Sequence, residues 1–322
     1  LFSSAASDVY KRQALPVIIF FSSLIAATYH IGVIHIIIKN IANVMEKTMK
    51  TSGAETLSIS ANIFVGQTEA PILIRPYISK MTNSELMTVM VGGFSTVAGS
   101  VMALYVTWLN NIPEIAGHLL AASVMSAPAA LMVAKIIYPE TKSYQIINSN
   151  SIKLKSQDNN LVDAIGRGAT DGLKLAANVA AMLIAFISLV AMINFILGLL
   201  GTSMQEMLGL LFKPLAWTMG IPWADAKIVG TLMGEKIVLT ELIAFRDLSD
   251  YVSNNTISER SVIIASYALC GFANFGSIGI QLGGIGSMAP KRKKDLSKLV
   301  FKAMLGGAIA SWLTASIVGI LI

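Results

Sequence analysis

Long apolar runs alternate along this chain with short polar stretches, and two of the runs are interrupted from within. Continuous apolar windows cover 15–38, 86–109, 115–138, 175–200, 262–285 and 299–322. Each reaches the roughly 20 residues that a helix needs to cross a bilayer. Two further stretches, 58–80 and 226–245, are apolar but carry polar residues in their midst. In hydrocarbon every backbone N–H and C=O must find its partner inside the protein, so the spans are predicted to be helices.

The first interrupted stretch reads SANIFVGQTEAPILIRPYISK over residues 60–80. It groups Gln67, Thr68 and Glu69, then sets Pro71 and Pro76 on either side of Arg75. A carboxylate at membrane depth costs at least about 2.5 kcal/mol, so Glu69 needs a polar or water-filled setting. The prolines remove amide donors and disfavour continued helix. A re-entrant hairpin with its tip at VGQTEAP accommodates all of this. The competing reading is an interfacial loop, with Arg75 and Lys80 reaching water. The second stretch, DAKIVGTLMGEKIVLTELIAFRDL over 225–248, holds Glu235, Lys236 and Glu241 in apolar surroundings.

The segments between the runs give the chain its order. Residues 40–57 are amphipathic and suit a helix or turn at the membrane surface. Asn83 or Ser84 is predicted to cap the helix that follows, with Glu85 favourable in its first turn. Residues 140–160 form the longest hydrophilic stretch and mark the seam between two halves. Residues 161–174, broken by glycines, read as a second surface helix ahead of a span through residue 200. Residues 204–222 read as one more apolar helix. In each half a polar-interrupted segment precedes a Gly- and Ser-rich span: GGFSTVAGS at 92–100, GFANFGSIG at 271–279. Interrupted helices at corresponding places in two halves point to a transporter built from inverted repeats, with its site where the breaks meet.

Composition agrees. The 322 residues are 54% hydrophobic and 13% charged, about half the charged fraction of a soluble domain. Mean hydropathy is +0.68. The net charge of +6 sits mostly between apolar runs and gives no reason to expect a nucleic acid polymer as partner. Lys291, Arg292, Lys293 and Lys294 form the densest cluster and mark a cytoplasmic loop before the last span. The one cysteine, Cys270, allows no internal disulfide and reads as a small core residue. His30, His35 and His118 are scattered, without the spacing of a metal motif. Residues 1–13, LFSSAASDVYKRQ, fit nothing downstream and read as a cloning scar or non-native leader.

Two constellations carry candidate chemistry. In SYALCGFANFGSIGIQLGGIGSMAP, residues 266–290, Asn274 and Ser277 are three apart and share a helix face. Phe272 beside them offers a flat surface. Such a set suits a ligand with a ring and hydroxyls, and suits helix–helix bonding equally. Glycines 271, 276 and 279 permit close approach or local unwinding. Asn62 and Val65 precede one break, and Thr96 and Val97 sit in another. An amide, a hydroxyl and loosened carbonyls together make a sodium site plausible chemistry.

At these residues a family resemblance becomes specific. SANIFVGQTEAP followed by GGFSTVAGS, GIPW at 220–223, TELIAF around Glu241, and CGFANFGSIGIQLGGIGSMAPKRKKDLS resemble the concentrative nucleoside transporter family, from about residue 14 to the end. The resemblance implies an all-α polytopic membrane protein, an inverted-repeat transporter of elevator type with two re-entrant helical hairpins and partly unwound helices. It implies a homotrimer in the lipid bilayer of the cell, a bacterial inner membrane. The function implied is symport of nucleosides (the uridine, adenosine, cytidine class) with co-transported sodium and no organic cofactor. Gln67, Thr68 and Glu69 would address the nucleobase side, with Val101 near and Leu175 as an apolar wall. Glu241, Asn274 and Ser277 would address ribose, and Phe272 the base. Asn62, Val65, Thr96 and Val97 match the family's sodium positions, Val65 and Val97 through their carbonyls. Thr96 stands where some members have Ser, and Thr240 where Asn often precedes the glutamate. The first spans of the family are missing.

The predicted organisation is then a scaffold helix and interfacial helix over 14–57 and a first transport half over 58–138. A polar loop over 139–160 follows, then an interfacial helix and scaffold span over 161–200. A second transport half over 201–290 and a basic loop with the last span over 291–322 complete it. Proton coupling is the alternative within the class. An intramembrane enzyme or a passive channel are the alternatives outside it. The enzyme reading is disfavoured by the lack of HExxH, GxSxG or a phosphate-binding loop.

Overall fold

The protein was described from a computed structural model covering residues 15–141, Ile152 and residues 158–322. The reading of 1–13 as a leader, and most of the polar loop 139–160, lie outside the described residues. Every regular element among them is helical. Among the described residues, three helical stretches are long and apolar enough to cross a membrane: Asn83–Trp108, Ile115–Ile137 and Pro290–Leu321. The bent pair Pro16–Ile31 and Val33–Met49 makes a fourth by composition.

The elements run twice through one order. The first half holds α1 (Leu15–Ile31), α2 (Val33–Met49), α3 (Gly53–Asn62) and a 3-10 turn (Ala70–Ile74) leading into the single turn α4 (Arg75–Ile78). It closes with α5 (Asn83–Ser95), α6 (Gly99–Trp108) and α7 (Ile115–Ile137). The second half holds α8 (Leu161–Gly198), α9 (Met204–Thr218), α10 (Ala226–Val238), α11 (Glu241–Ser253), α12 (Glu259–Leu269), α13 (Phe275–Met288) and α14 (Lys293–Leu321). Each half is thus two opening helices, of equal length in the first half and of 38 and 15 residues in the second, then a pair split by a polar break, a span split in the middle, and a closing span.

Several boundaries differ from those expected. The window 15–38 is not one span: it turns by 75° at Gly32, whose φ of +94° is open only to a residue without a side chain. The amphipathic helix is α2, with Ile34, Ile38, Ala42 and Met45 buried at three- and four-residue spacing. Residues 53–57 belong to α3 instead. Residues 161–174 are not a separate surface helix but the first turns of the 38-residue α8. Two of their glycines serve packing rather than breaks: a Cβ on Gly168 or Gly172 would come within 2.8 Å of the α1 backbone. The helix predicted over 204–222 ends at Thr218. The cap of α5 is Thr82, not Asn83 or Ser84. Its side chain accepts from the Glu85 N–H while Glu85 accepts from the Thr82 N–H.

Polar clamps fasten each half at one end. Ser52 donates to Glu85 (2.5 Å), and Lys135 pairs with Glu55 (2.7 Å) and donates to Ser84 (3.1 Å). These bonds tie the starts of α3 and α5 to the end of α7. In the second half Asp225 accepts from the Ser258 amide and hydroxyl and the Ser261 hydroxyl. Arg260 donates to the carbonyls of Gly220 and Gly319. Here the starts of α10 and α12 are tied to the end of α14. Burial pushes the Asp225 carboxyl up, but the hydrogen bonds from Ser258 and Ser261 outweigh it and hold it below its ordinary value.

Two large apolar clusters form the core. One gathers residues of α5, α7 and α14 around α3 and the Ala70–Ile78 turns. The other gathers α6, α10, α11 and α12 with the end of α14. The broken spans cross at their breaks. Gly271, with φ +126°, lies so close to Phe94 and Ser95 that a Cβ would meet their backbone at 2.8 Å. Of the three glycines singled out in that span, this one is needed for the break; Gly276 and Gly279 lie inside α13.

Candidate functional site

Helix breaks create the site, because a broken helix leaves backbone and cap groups pointing inward. The α3–α4 connection carries Gln67, Thr68 and Glu69. The residues between α10 and α11 bring Thr240 and Glu241 inward, Thr240 capping α11 by accepting from the Ile243 N–H. The α12–α13 break brings Phe272 and Asn274. Ser277 lies in the first turn of α13.

All nine residues expected at the substrate end line one cavity of about 680 Å³: Gln67, Thr68, Glu69, Val101, Leu175, Glu241, Phe272, Asn274 and Ser277. This volume fits a ligand of drug-like size. Asn274 and Ser277 do not share a helix face as expected. Asn274 is the N-cap of α13, and its Oδ1 accepts from the Ser277 N–H at 2.8 Å. That leaves its Nδ2 to donate to Glu241 Oε2 at 2.8 Å. On the other side Gln67 Nε2 donates to Ser277 Oγ at 3.2 Å. Glu241 and Asn274 are buried while Glu69 and Asp171 are exposed, so the cavity has one enclosed carboxylate and two open ones.

Three residues of this neighbourhood escaped the sequence reading. Tyr105 donates to Glu241 Oε1 (3.4 Å) and stacks on Phe245 with ring centres 4.0 Å apart. Gln281 donates to Gln67 Oε1 (3.2 Å) and to the Met90 carbonyl (3.1 Å), joining the two halves. Both were accessible to helical spacing, since Tyr105 follows Val101 by four and Gln281 follows Ser277 by four. The third, Arg167, lines the cavity from α8 beside Asp171, its pair at 3.3 Å.

The four residues expected to hold a cation gather where α3 ends beside the α5–α6 break. The Gly99 N–H donates to the Phe64 carbonyl at 3.1 Å, lacing the two breaks together. Val65 and Val97 both lie in non-helical backbone there. Thr96 donates to the Gly92 carbonyl at 3.0 Å, which leaves its oxygen lone pairs for a ligand. Asn62 is fully buried, yet neither amide atom has a hydrogen-bond partner in the structure. A buried amide in that state costs about 1–3 kcal/mol, so this one calls for a ligand. A neutral amide oxygen, a hydroxyl and loosened carbonyls are the donor set of an alkali cation. Among the described residues no three His, Cys, Asp or Glu side chains gather in a way that could hold a metal.

Comparison with known proteins gives a consistent result. The pattern described as "Na+ dependent nucleoside transporter C-terminus" matches residues 118–319, and one described as "Nucleoside recognition" matches residues 12–112. Sodium/nucleoside cotransporter 1 of Rattus norvegicus is 43% identical over 98% of this chain and 51% of its own length. The human protein of the same name is 42% identical over 98% and 51%. An uncharacterized transporter of Bacillus subtilis, YutK, is 42% identical over 98% and 79%. The chain spans about half the length of the mammalian relatives. Among solved structures, CNTnw in an inward-facing substrate-bound state superimposes with a TM-score of 0.89. It is 44% identical, and the match covers 97% of this chain and 74% of that one.

Proposed function

The chain belongs to the Na+ dependent nucleoside transporter family, a family of multi-pass membrane proteins, and from this premise we propose that it takes nucleosides into the cell by symport with sodium. One observation carries the reading. The polar groups of a single cavity come from the breaks of both halves, beside a buried, unpartnered Asn62.

The chemistry follows from the groups present. Glu241, already oriented by Asn274 and Tyr105, accepts hydrogen bonds from ribose hydroxyls, and such charge-assisted bonds exceed neutral ones. Phe272 and Val101 provide apolar surface for the base, and Leu175 closes the wall from α8. Gln67 and Thr68, with both donors and acceptors, read the base edge, with Glu69 at the rim. Sodium is a second substrate, taken by Asn62, Thr96 and the carbonyls of Val65 and Val97. Since the cation site and Gln67 share one connection, an ion that orders it completes the nucleoside site. The two ligands then raise each other's affinity by the same factor.

The α3–α4 and α10–α11 pairs act as re-entrant hairpins, and with the broken spans they form the body that moves. The long helices α1 and α8, packed along each other, form the stationary scaffold. The apolar outer surface of α8, with Met192, Phe195 and Ile196 exposed, supports a lipid or subunit contact within a homotrimer in the cell membrane. The test is uridine and adenosine binding to the purified chain, with sodium or choline, at two pH values. Sodium-dependent binding is expected. Binding that follows pH and ignores sodium would replace the ion by a proton, and no binding by folded protein would remove the nucleoside.

A further inference from the structure

In the second half Lys236 lies near the end of the helix that corresponds to the one Asn62 closes. Asn62 is the last residue of α3, next to the break that ends α5. Lys236 lies near the end of α10, the corresponding helix, next to the break that ends α12. Its side chain is fully buried. Its ammonium donates to the Ala268 carbonyl at 2.9 Å and to Ser311 Oγ at 3.2 Å, and Ser311 in turn donates to the Cys270 carbonyl at 2.7 Å. Among the described residues no carboxylate lies within ion-pair distance of it. Glu241 acts on it only from a greater distance.

A buried lysine ordinarily finds a carboxylate, because the isolated charge is costly to desolvate. This one is held by neutral oxygens, a carbonyl and a hydroxyl at an unwound helix end. That is the donor set an alkali ion takes in the first half. We propose that Lys236 is a tethered cation, doing for the α12–α13 break what the transported ion does for the α5–α6 break. It is a positioning residue. By fixing the 268–271 backbone it holds Phe272 and Asn274, and through Asn274 the carboxylate of Glu241. The consequence is an unequal pair of halves: one break is ordered only when an ion arrives, the other always. The chain therefore carries one exchangeable cation site at its breaks rather than two. This rests on the sodium–nucleoside reading for its role in transport, but the tethered charge itself can be tested without a nucleoside.

The first experiment follows thermal melting of the full chain in sodium, potassium or choline chloride at constant ionic strength. Four forms are compared: parent, Asn62→Ala, Lys236→Met and the double variant. Asn62→Ala should lose most of the sodium-dependent rise in melting temperature. Adding Lys236→Met should lower stability in choline and restore a cation-dependent rise, because the vacated oxygens accept a free ion. A double variant that folds and melts identically in all three salts overturns the proposal. Ser311→Ala provides the second test. It keeps the charge, removes one acceptor and leaves the fold's volume nearly unchanged. Uridine affinity should fall several-fold with an unaltered sodium Hill coefficient. Affinity equal to the parent's would show that the ammonium does not hold the break. Failure of the parent to bind uridine would count against the transport reading alone, leaving the melting result to decide the lysine.

Discussion

At Glu241 a single carboxylate is enclosed by an amide, a phenol and apolar walls, and its charge is what distinguishes it from any neutral acceptor. Replacing it by glutamine keeps the volume and one acceptor but removes the charge. Hydrogen bonds to charged groups contribute about 1.5–3 kcal/mol, so uridine affinity should fall about 10- to 100-fold in Glu241→Gln, read by calorimetry. The penalty for 2′-deoxyuridine relative to uridine should shrink in the same variant, and an unchanged penalty would move the ribose elsewhere. Asn62 makes the opposite kind of residue, a polar group with nothing yet to bond. Asn62→Ala removes a burden from the ion-free protein, so its fold should be stable. Its sodium titration for uridine binding should shift to higher concentration by about tenfold or more, while affinity at saturating sodium stays near the parent's. An unmoved titration would take Asn62 out of the ion site. At this scale the sequence was informative where residue type alone is diagnostic, as for Glu241 and Asn62. It misplaced Asn274, because three-residue spacing marks a shared helix face and a cap equally well. It passed over Tyr105 and Gln281, whose roles come from partners more than a hundred positions away.

Elements differ in how far local rules decide them. The apolar span α7 follows its sequence window closely, since length and hydropathy suffice, whereas α14 starts at Lys293, inside the stretch expected as a basic loop. The breaks were foreseen from proline, glycine and polar residues. The turn at Gly32 and the continuity of α8 were not, because an isolated glycine in an apolar run marks a break or a close contact equally, and only the packing decides which. In α8 Gly168 and Gly172 face α1, and contact there replaces the lost propensity. Caps and clamps at the helix starts fix the relative placement of the elements, and that of Asp225 can be titrated. Its folded-state pKa lies below the ordinary 3.8, so it adds stability that is fully present above that value and lost as pH falls through the depressed one. The parent should therefore melt higher than Asp225→Asn at about pH 5, and the gap should narrow steadily as the pH is taken below the ordinary carboxylate range. A gap that is constant with pH would assign the effect to hydrogen-bond geometry and not to charge.

Across the whole molecule the two halves are consecutive in sequence but interleaved in space. The closing helix α14 packs on α5 and α7 of the first half as well as on α12, and the cavity takes walls from both halves. Shared cores of this kind outlast a cut in the chain. A protease site introduced into the polar stretch 142–151 should therefore permit cleavage without separation of the halves. The nicked protein should elute as the intact one does and keep its sodium-dependent uridine binding. Dissociation on nicking would mean that the covalent link, not the packing, holds the halves together. Sequence gave little sight of this level, because no local pattern states which half covers which.

The hydrogen bond from Gln67 to Ser277 gives the ligand-free cavity an internal occupant. A base that engages Gln67 must displace that bond, and sugar hydroxyls that approach Glu241 must share it with Asn274 and Tyr105. Binding is thus an exchange reaction, in which each new contact replaces an old one and only the difference remains as affinity. Short residence times follow. In the proposed transporter, a site whose groups can also bond one another would release its cargo the more readily.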